Sequence, residues 1–188
     1  MMNLAIAEKK QFRSILWGSE KSSVLRNTLL MLLGSLLIAL SAKIMVPLQP
    51  VAVTLQSLAV IFVGMTLGWR LGGGAVLLYL VEGFSGLPVF TIGVLVPQLG
   101  YLIGFLFAAI TAGYLAECGW GKHFMTTIVA AGFATILILS CGFFVLAQFI
   151  GYNAAFVSGI KPFLMGDIFK IIFLACVIPT FWRNNVKA

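Results

Sequence analysis

The sequence predicts an all-α integral membrane protein with six transmembrane helices, both termini in the cytoplasm, and outer loops that cap a ligand pocket. Hydrophobic residues make up 61% of the 188 residues and charged residues only 9%, and the mean hydropathy is +1.11. These values lie far outside the range of soluble domains. At about 20 residues per crossing plus short loops, the chain has room for roughly six spans and little else.

The predicted spans are apolar segments bounded by charged residues, Gly or Pro. They cover residues 27–43, 51–69, 72–83, 97–117, 124–150 and 162–181. Only "GWRLGGG" at 68–74 separates the second span from the third. Arg70 beside a glycine run favours a turn between two short helices over one very long helix, and a re-entrant pair is the alternative.

Residues 1–26 precede the first span and are predicted to form a cytoplasmic segment, which could lie as a helix on the membrane surface. Charges come before the first apolar run, but no small-residue cleavage site follows it, which argues against a signal peptide. Residues 27–188 are predicted to form a single six-helix transmembrane domain.

The distribution of Lys and Arg predicts the orientation of a multi-pass protein in the cytoplasmic membrane, because cytoplasmic loops are enriched in these residues. It places residues 44–52, 83–97 and 151–161 in outer loops. The net charge of +7 is scattered along the segment ends, which does not favour nucleic-acid binding. Nine of the 12 basic residues fall on the inner side: Lys9, Lys10, Arg13, Lys21, Arg26, Arg70, Lys122, Arg183 and Lys187.

The outer loops are rich in Pro, Gly, Gln and aromatic residues and carry hardly any charge. Apolar, irregular backbone at membrane depth is tolerated only where it is buried in protein or lines a cavity. We therefore expect a lidded pocket, although membrane-dipping connectors are an alternative. The candidate contacts are two amides, Gln56 and Gln98, and four aromatic rings that could enclose a ligand: Phe84, Phe90, Tyr101 and Tyr152.

Asp167 and Lys170 lie inside the last span, where a charged side chain costs about 2.5 to 3.5 kcal/mol on insertion scales. Their i, i+3 spacing puts them on one helix face, so they could be a purely structural pair. A pocket with a carboxylate and an ammonium group also suits a small solute that offers hydrogen-bond donors and an anionic or carbonyl group. Lys161, one to two turns outward, could add a second cation.

Two spans carry stripes of small residues, which let helices approach closely in lipid, where no hydrophobic effect drives association. We expect the stripe of the fourth span to pack inside the bundle, whereas the stripe of the first span could face a partner protein. The stripes are Gly100, Gly104, Ala108 and Ala112 in the fourth span, and Ser35, Ala39 and Ala42 in the first.

Enzymatic chemistry is not indicated by the sequence. "CGWGKHF" contains Gly-Lys, but Ala116 and His123 occupy positions where a P-loop needs Gly and Ser or Thr. With five acidic residues and one histidine, no metal cluster or general acid/base pair is predicted. We expect neither ATP hydrolysis nor a bound cofactor.

Four stretches resemble the BioY family of biotin transport proteins, in order and over residues about 44–170. They are "VPLQPVAVTLQSLAVIFVGMTLGWRLGG", "YLVEGFSGLPVF", "GYLIGF" and "PFLMGDIFK". Each piece is short, but a Pro-x-x-Pro-Val loop, a Gly-Leu-Pro-Val-Phe turn and a Gly-Asp-x-x-Lys helix are specific in combination.

The resemblance implies a six-helix, biotin-binding subunit of an energy-coupling factor transporter, embedded in membrane lipid. It implies that Asp167 and Lys170 contribute to biotin binding, with biotin as substrate rather than cofactor. It also implies a transmembrane coupling protein and two ATPase subunits as partners, with Ser35 and Ala39 resembling the motif that contacts the coupling protein. Some family members are found without dedicated partners.

The sequence departs from the family pattern before "GYLIGF", where Val96, Pro97, Gln98 and Leu99 replace a Gly-Pro-Thr type stretch. A side chain in place of Gly narrows a close backbone approach, so Gln98 either compensates with a hydrogen bond or alters affinity. Three alternatives stay open from the residues alone: a carrier of another small vitamin, a self-sufficient secondary carrier with Asp167 as its coupling-ion site, and a non-transporting membrane assembly protein.

Overall fold

The chain is almost entirely helical in the computed structural model, which describes residues 24–48, 50–90 and 98–186. Two-residue strands, β1 (Met45–Val46) and β2 (Val53–Thr54), pair antiparallel between the first two helices. The predicted segment 1–26 lies largely outside the described residues, as do the first two residues, Val96 and Pro97, of the departure at 96–99. The helices are α1 (Val24–Ala42), α2 (Gln56–Phe84), α3 (Leu99–Leu115), α4 (Phe124–Ile150), α5 (Tyr152–Gly159) and α6 (Lys161–Val186), with a π-helical turn, Ala116–Trp120, after α3.

The membrane-protein class predicted from composition is confirmed by the helices. Among the described residues, five helical segments are long and apolar enough to cross a membrane: Val24–Ala42, Gln56–Phe84, Leu99–Trp120, Phe124–Ile150 and Tyr152–Thr180. Large apolar side chains remain on the outside of these segments, as Leu33, Phe133 and Phe169 show. Soluble domains of this size rarely expose so many large apolar side chains, whereas contact with lipid accounts for them.

The second helix folds back on itself at Gly68. Its backbone there has φ 79° and ψ 171°, a conformation that L side chains rarely adopt. The amide Nε2 of Gln56 lies 2.7 Å from the hydroxyl of Tyr79, although 23 residues of straight helix would separate them by about 35 Å. The turn predicted within 68–74 therefore exists, and the two arms of α2, residues 56–67 and 69–84, run side by side.

Helix α3 packs against both α2 and α4 through its small residues. A Cβ atom at Gly104 would lie 2.8 Å from the Cα of Ile138 in α4, and one at Gly113 would lie 2.5 Å from the backbone of Trp69 in α2. Gly100, Ala108 and Ala112 are also buried. The prediction that this stripe packs inside the bundle is confirmed, because any larger residue would push the helices apart.

Helix α1 presents its small stripe to the interior, which corrects the expectation that Ser35 and Ala39 face a partner. Their exposed fractions are 0% and 8%. The hydroxyl of Ser35 donates to the carboxylate of Glu82 at 2.5 Å, and a Cβ at Gly34 would meet Ala75 at 2.9 Å. The stripe brings α1 against α2 within the chain, and the opposite face of α1 exposes leucines.

The predicted outer loop 151–161 contains a helix instead. Gly151, at φ 81°, ends α4 and redirects the chain. The eight-residue helix α5 follows, and the carbonyl of its last residue, Gly159, accepts a hydrogen bond from the hydroxyl of Tyr101 at 2.8 Å. Hydrogen bonding within a helix satisfies backbone groups that an irregular loop would leave unpaired near the membrane.

Replacing Gly64 with Ala should destabilise the bundle, because a Cβ there would lie 2.6 Å from the carbonyl oxygen of Ala109. Overpacking of this kind costs about 1 to 3 kcal/mol. The matched control is Gly132→Ala, since nothing lies within 4 Å of a Cβ at that helical position. Thermal loss of the helical circular dichroism signal in detergent measures both. Equal midpoints for the two variants would contradict this packing.

Candidate ligand-binding site

A cavity lies where the β2–α2 junction meets α3, α4 and α6. About 590 Å³ of space lies between its walls, including the part that is open to solvent. Its apolar lining comes from Val51, Ala52, Leu102, Phe105, Ile138, Leu139 and Phe163. Its polar lining comes from Thr54, Gln56, Ser57, Tyr79, Gln98, Tyr101 and Asp167.

The ammonium group of Lys170 is the centre of a buried polar network. Its Nζ lies 2.9 Å from Oδ1 of Asp167, and the two residues are 9% and 4% exposed. The same Nζ donates to the backbone carbonyl of Thr54 at 2.9 Å and to the hydroxyl of Ser57 at 2.8 Å. A lysine has three N–H donors, so all three are used, and the pair joins α6 to the β2–α2 junction.

Asp167 is the member of the ion pair that faces the cavity. It belongs to the cavity lining, whereas Lys170 does not. Its Oδ1 accepts from Lys170, and no described residue donates to its Oδ2. An ionised carboxylate offers about four lone-pair sites. Asp167 can therefore accept hydrogen bonds from a ligand while the ammonium group of Lys170 compensates its negative charge.

Gln56 and Tyr79 form a second polar pair in the cavity wall. Gln56 Nε2 donates to the Tyr79 hydroxyl at 2.7 Å, and Thr54 Oγ1 lies 3.3 Å from Gln56 Oε1. Both side chains are buried. The hairpin turn of α2 is what brings these two residues together, because they belong to different arms.

Phe90 and Phe84 do not line the cavity but pack outside it, on the side of Tyr79. The Phe90 ring meets Tyr79 edge-on with centroids 5.4 Å apart, and Phe84 meets Phe90 at the same distance. Phe84 is 66% exposed. Phe90 therefore supports Tyr79 from outside the cavity, and Phe84 lies further out.

Gln98 and Tyr101 line the cavity at the start of α3. The amide of Gln98 donates to the carbonyl of Pro50 at 3.0 Å, which ties the loop between the two strands to α3. The ring of Tyr101 stacks on Phe163 with centroids 5.6 Å apart and planes 19° from parallel. The stacked rings give the cavity a flat apolar wall.

Two other sequence candidates lie away from the cavity. Lys161 is exposed, and its Nζ lies 5.9 Å from the centroid of the Phe156 ring. Tyr152 is 62% exposed and packs against Phe143. Within the described ranges, no group of three or more His, Cys, Asp or Glu side chains could hold a metal ion.

Sequence reasoning missed ten of the 14 lining residues, among them Thr54, Ser57, Tyr79 and Phe163. Thr54 and Ser57 lie on either side of Gln56 at the end of a Pro-rich loop, and their closeness to Gln56 in the sequence is the signal that could have indicated them. Tyr79 lies in an apolar segment with Glu82 three residues later, and Phe163 lies one turn before Asp167. The i, i+4 spacing places Phe163 on the face of Asp167.

The fold and the site define a multi-pass helical membrane protein with a cavity built for a small solute. The chain belongs to the BioY family, whose model matches residues 10–186. It is 36% identical over 141 residues to a probable biotin transporter BioY of Pyrococcus horikoshii, covering 71% of this chain and 82% of the relative. It is also 36% identical over 149 residues to a biotin transporter BioY of Thermotoga maritima, covering 75% and 86%.

A solved structure shares the fold. It is the S-component for biotin from an ECF-type ABC transporter, with a TM-score of 0.74, 23% identity, and coverage of 85% of this chain and 92% of that one. At this identity the match is evidence for the fold, and the cavity described above comes from this chain alone.

Removing one member of the ion pair should destabilise the ligand-free protein more than removing both. Lys170→Met leaves a buried carboxylate without its cation, which costs about 3 to 5 kcal/mol, whereas apolar replacement of a whole pair is often neutral. The double variant Asp167→Leu, Lys170→Met should therefore recover most of the lost stability. Thermal unfolding in detergent without ligand tests this. A double variant as unstable as the single one would contradict the pairing.

Proposed function

We propose that this chain binds biotin in the cavity and acts as the substrate-binding subunit of an energy-coupling factor uptake transporter. Three lines of support are its membership of the BioY family, the biotin transporters among its relatives, and its likeness to a biotin S-component. The proposal rests chiefly on Asp167, a cavity-lining carboxylate that Lys170 holds in place and whose Oδ2 accepts from no donor among the described residues.

The chemistry of the cavity suits the ring system of biotin. The ureido ring offers N–H donors, and charge-assisted hydrogen bonds from such donors to a carboxylate are about twice as strong as neutral ones. The fused ring has an apolar body that can pack against Tyr101 and Phe163, which lie stacked in the wall. Gln56 and Tyr79 supply further polar contacts beside Asp167.

We propose that the chain crosses the inner (cytoplasmic) membrane six times and that both termini lie in the cytoplasm. Counting the two arms of α2 separately adds one crossing to the five long segments, and the return at Gly68 supports that count. Arg70 lies just after the turn, with its guanidinium 5.0 Å from the centroid of the Trp69 ring. An Arg beside a Trp is typical of a membrane–water interface, and a basic residue favours the cytoplasmic side.

Biotin binding should depend on Asp167 and Lys170 in the purified, detergent-solubilised protein. Hydrogen bonds to charged groups contribute about 1.5 to 3 kcal/mol, so Asp167→Asn should weaken binding by about tenfold or more. Lys170→Ala should weaken it too, because Asp167 loses its partner. Isothermal titration with no ion gradient measures this, with Lys161→Ala as the control, since Lys161 lies outside the lining. Unchanged affinity in Asp167→Asn would contradict this site and favour a coupling-ion role.

The proposed partners are a transmembrane coupling protein and two ATPase subunits. If they drive uptake, the energy for biotin transport comes from ATP rather than from a proton gradient. Cells expressing the whole transporter can supply membrane vesicles loaded with ATP. Biotin uptake should require the ATP and persist when a protonophore collapses the proton gradient. Uptake that stops with the protonophore while ATP is present would contradict the ATPase partners and favour a secondary carrier.

A further inference from the structure

The hydroxyl of Ser57 accepts a hydrogen bond from Lys170 and also lines the cavity. Ser57 lies in the first turn of α2, is partly buried and lines the cavity. It sits between the two charged residues of α6, 2.8 Å from Nζ of Lys170 and 3.5 Å from Oδ1 of Asp167. The hydroxyl and the carboxylate are therefore neighbours in the lining of the same cavity.

The hydrogen bonds of Ser57 leave its own proton available. A serine hydroxyl has one donor and two acceptor sites. One acceptor site takes an N–H of Lys170. Among the described residues the proton has one acceptor, Asp167 Oδ1 at 3.5 Å, which is beyond the usual range of about 2.5 to 3.0 Å for O–H···O bonds. That oxygen also already accepts from Lys170 at 2.9 Å.

Lys170 makes this hydroxyl a better donor. A hydrogen bond from an ammonium group polarises the oxygen that accepts it, and chains of hydrogen bonds strengthen one another. The bond in turn fixes the position of the Ser57 oxygen, because the ammonium group is already held by Asp167 and by the carbonyl of Thr54. The Ser57 hydroxyl is thus an oriented donor in the cavity lining, while the Lys170 ammonium group stays outside the lining.

Ser57 and Asp167 together present a donor beside an acceptor. The Oδ2 atom of Asp167 has no donor among the described residues and can accept. A cyclic urea has the complementary pattern on one edge, since an N–H donor and a C=O acceptor lie on adjacent ring atoms. A carboxylate alone would select only the N–H, so the hydroxyl adds discrimination for the carbonyl.

We propose that Ser57 is a specificity-determining ligand contact, whose hydroxyl donates to the ureido carbonyl while Asp167 accepts from the neighbouring N–H. This inference rests on the proposed function and deepens it, because it assigns the ureido edge of biotin to the Ser57–Asp167 end of the cavity. Sites that hydrogen-bond a substrate group discriminate strongly against analogues that lack it.

The test compares two ligands across matched serine variants. Biotin and 2-thiobiotin differ only in the carbonyl oxygen, which becomes a sulfur that accepts hydrogen bonds weakly. The variants are Ser57→Ala, Ser57→Thr, which keeps a hydroxyl, and the control Ser158→Ala. Ser158 lies outside the cavity lining and donates to the carbonyl of Ala154 within its own helix at 2.6 Å.

Ser57→Ala should lower biotin affinity by about tenfold, as expected for loss of one polarised hydrogen bond. It should lower 2-thiobiotin affinity by about threefold or less. Ser57→Thr should keep most of the biotin affinity, and Ser158→Ala should match the wild type with both ligands. Isothermal titration in detergent gives all of these values.

Equal losses for both ligands in Ser57→Ala would overturn the inference, because Ser57 would then act only through Lys170 and Asp167. Unchanged biotin affinity in Ser57→Ala would overturn it as well. Failure of the wild-type chain to bind biotin would overturn the proposed function together with the inference. That failure is distinguishable because it is seen before any variant is made.

Discussion

The hydrogen bonds of the Lys170 ammonium group are the interaction on which the site depends. An apolar bundle in lipid has no water to solvate a charge, so each charged group needs a partner within the protein. Asp167, the carbonyl of Thr54 and the hydroxyl of Ser57 together use all three N–H donors. Because these acceptors come from α6, β2 and the first turn of α2, the network also fixes where those elements meet, which is where the cavity lies.

The small residues of the bundle set the remaining walls. The reversal at Gly68 places Gln56 next to Tyr79, and glycines of α3 let that helix come close to α2 and α4. Tyr101 on α3 then reaches α5 through the carbonyl of Gly159 and stacks on Phe163 of α6. Packing inside a membrane depends on such close approach, so the geometry of the site and the close packing of the helices have the same origin.

The sequence predicts those features whose physical cause acts over a few neighbouring residues. Hydropathy marks the long helical segments, the Gly-Trp-Arg turn marks the reversal of α2, and two charges in an apolar segment mark the ion pair. Polar or aromatic residues beside loops that are apolar and rich in Pro and Gly indicate a cavity, and Gln56, Gln98 and Tyr101 are such residues. Membership of the BioY family was recognisable from short motifs that appear in a fixed order.

The features that the sequence does not predict depend on contacts between residues that are distant in the chain. The local signals of Ser57 and Tyr79 are weak. Serine hydroxyls in helices often bond to their own backbone, and the partner of the Tyr79 hydroxyl, Gln56, lies 23 residues away in the sequence. Phe84 and Lys161 lie near helix ends, where aromatic and basic residues are just as often interface anchors as ligand contacts. Ser35 and Ala39 form a stripe that could have faced either way, and its direction follows from the hydrogen bond to Glu82, 47 residues later.

The structure of the protein with biotin bound would test the central claim most directly. We expect ligand density in the cavity, with a ureido N–H within about 3 Å of the Asp167 carboxylate and the fused ring against Tyr101 and Phe163. The bonds from Lys170 to Asp167 and Ser57 should persist. Biotin bound elsewhere on the protein, with Asp167 making no contact to it, would contradict the account and leave the ion pair with a structural role.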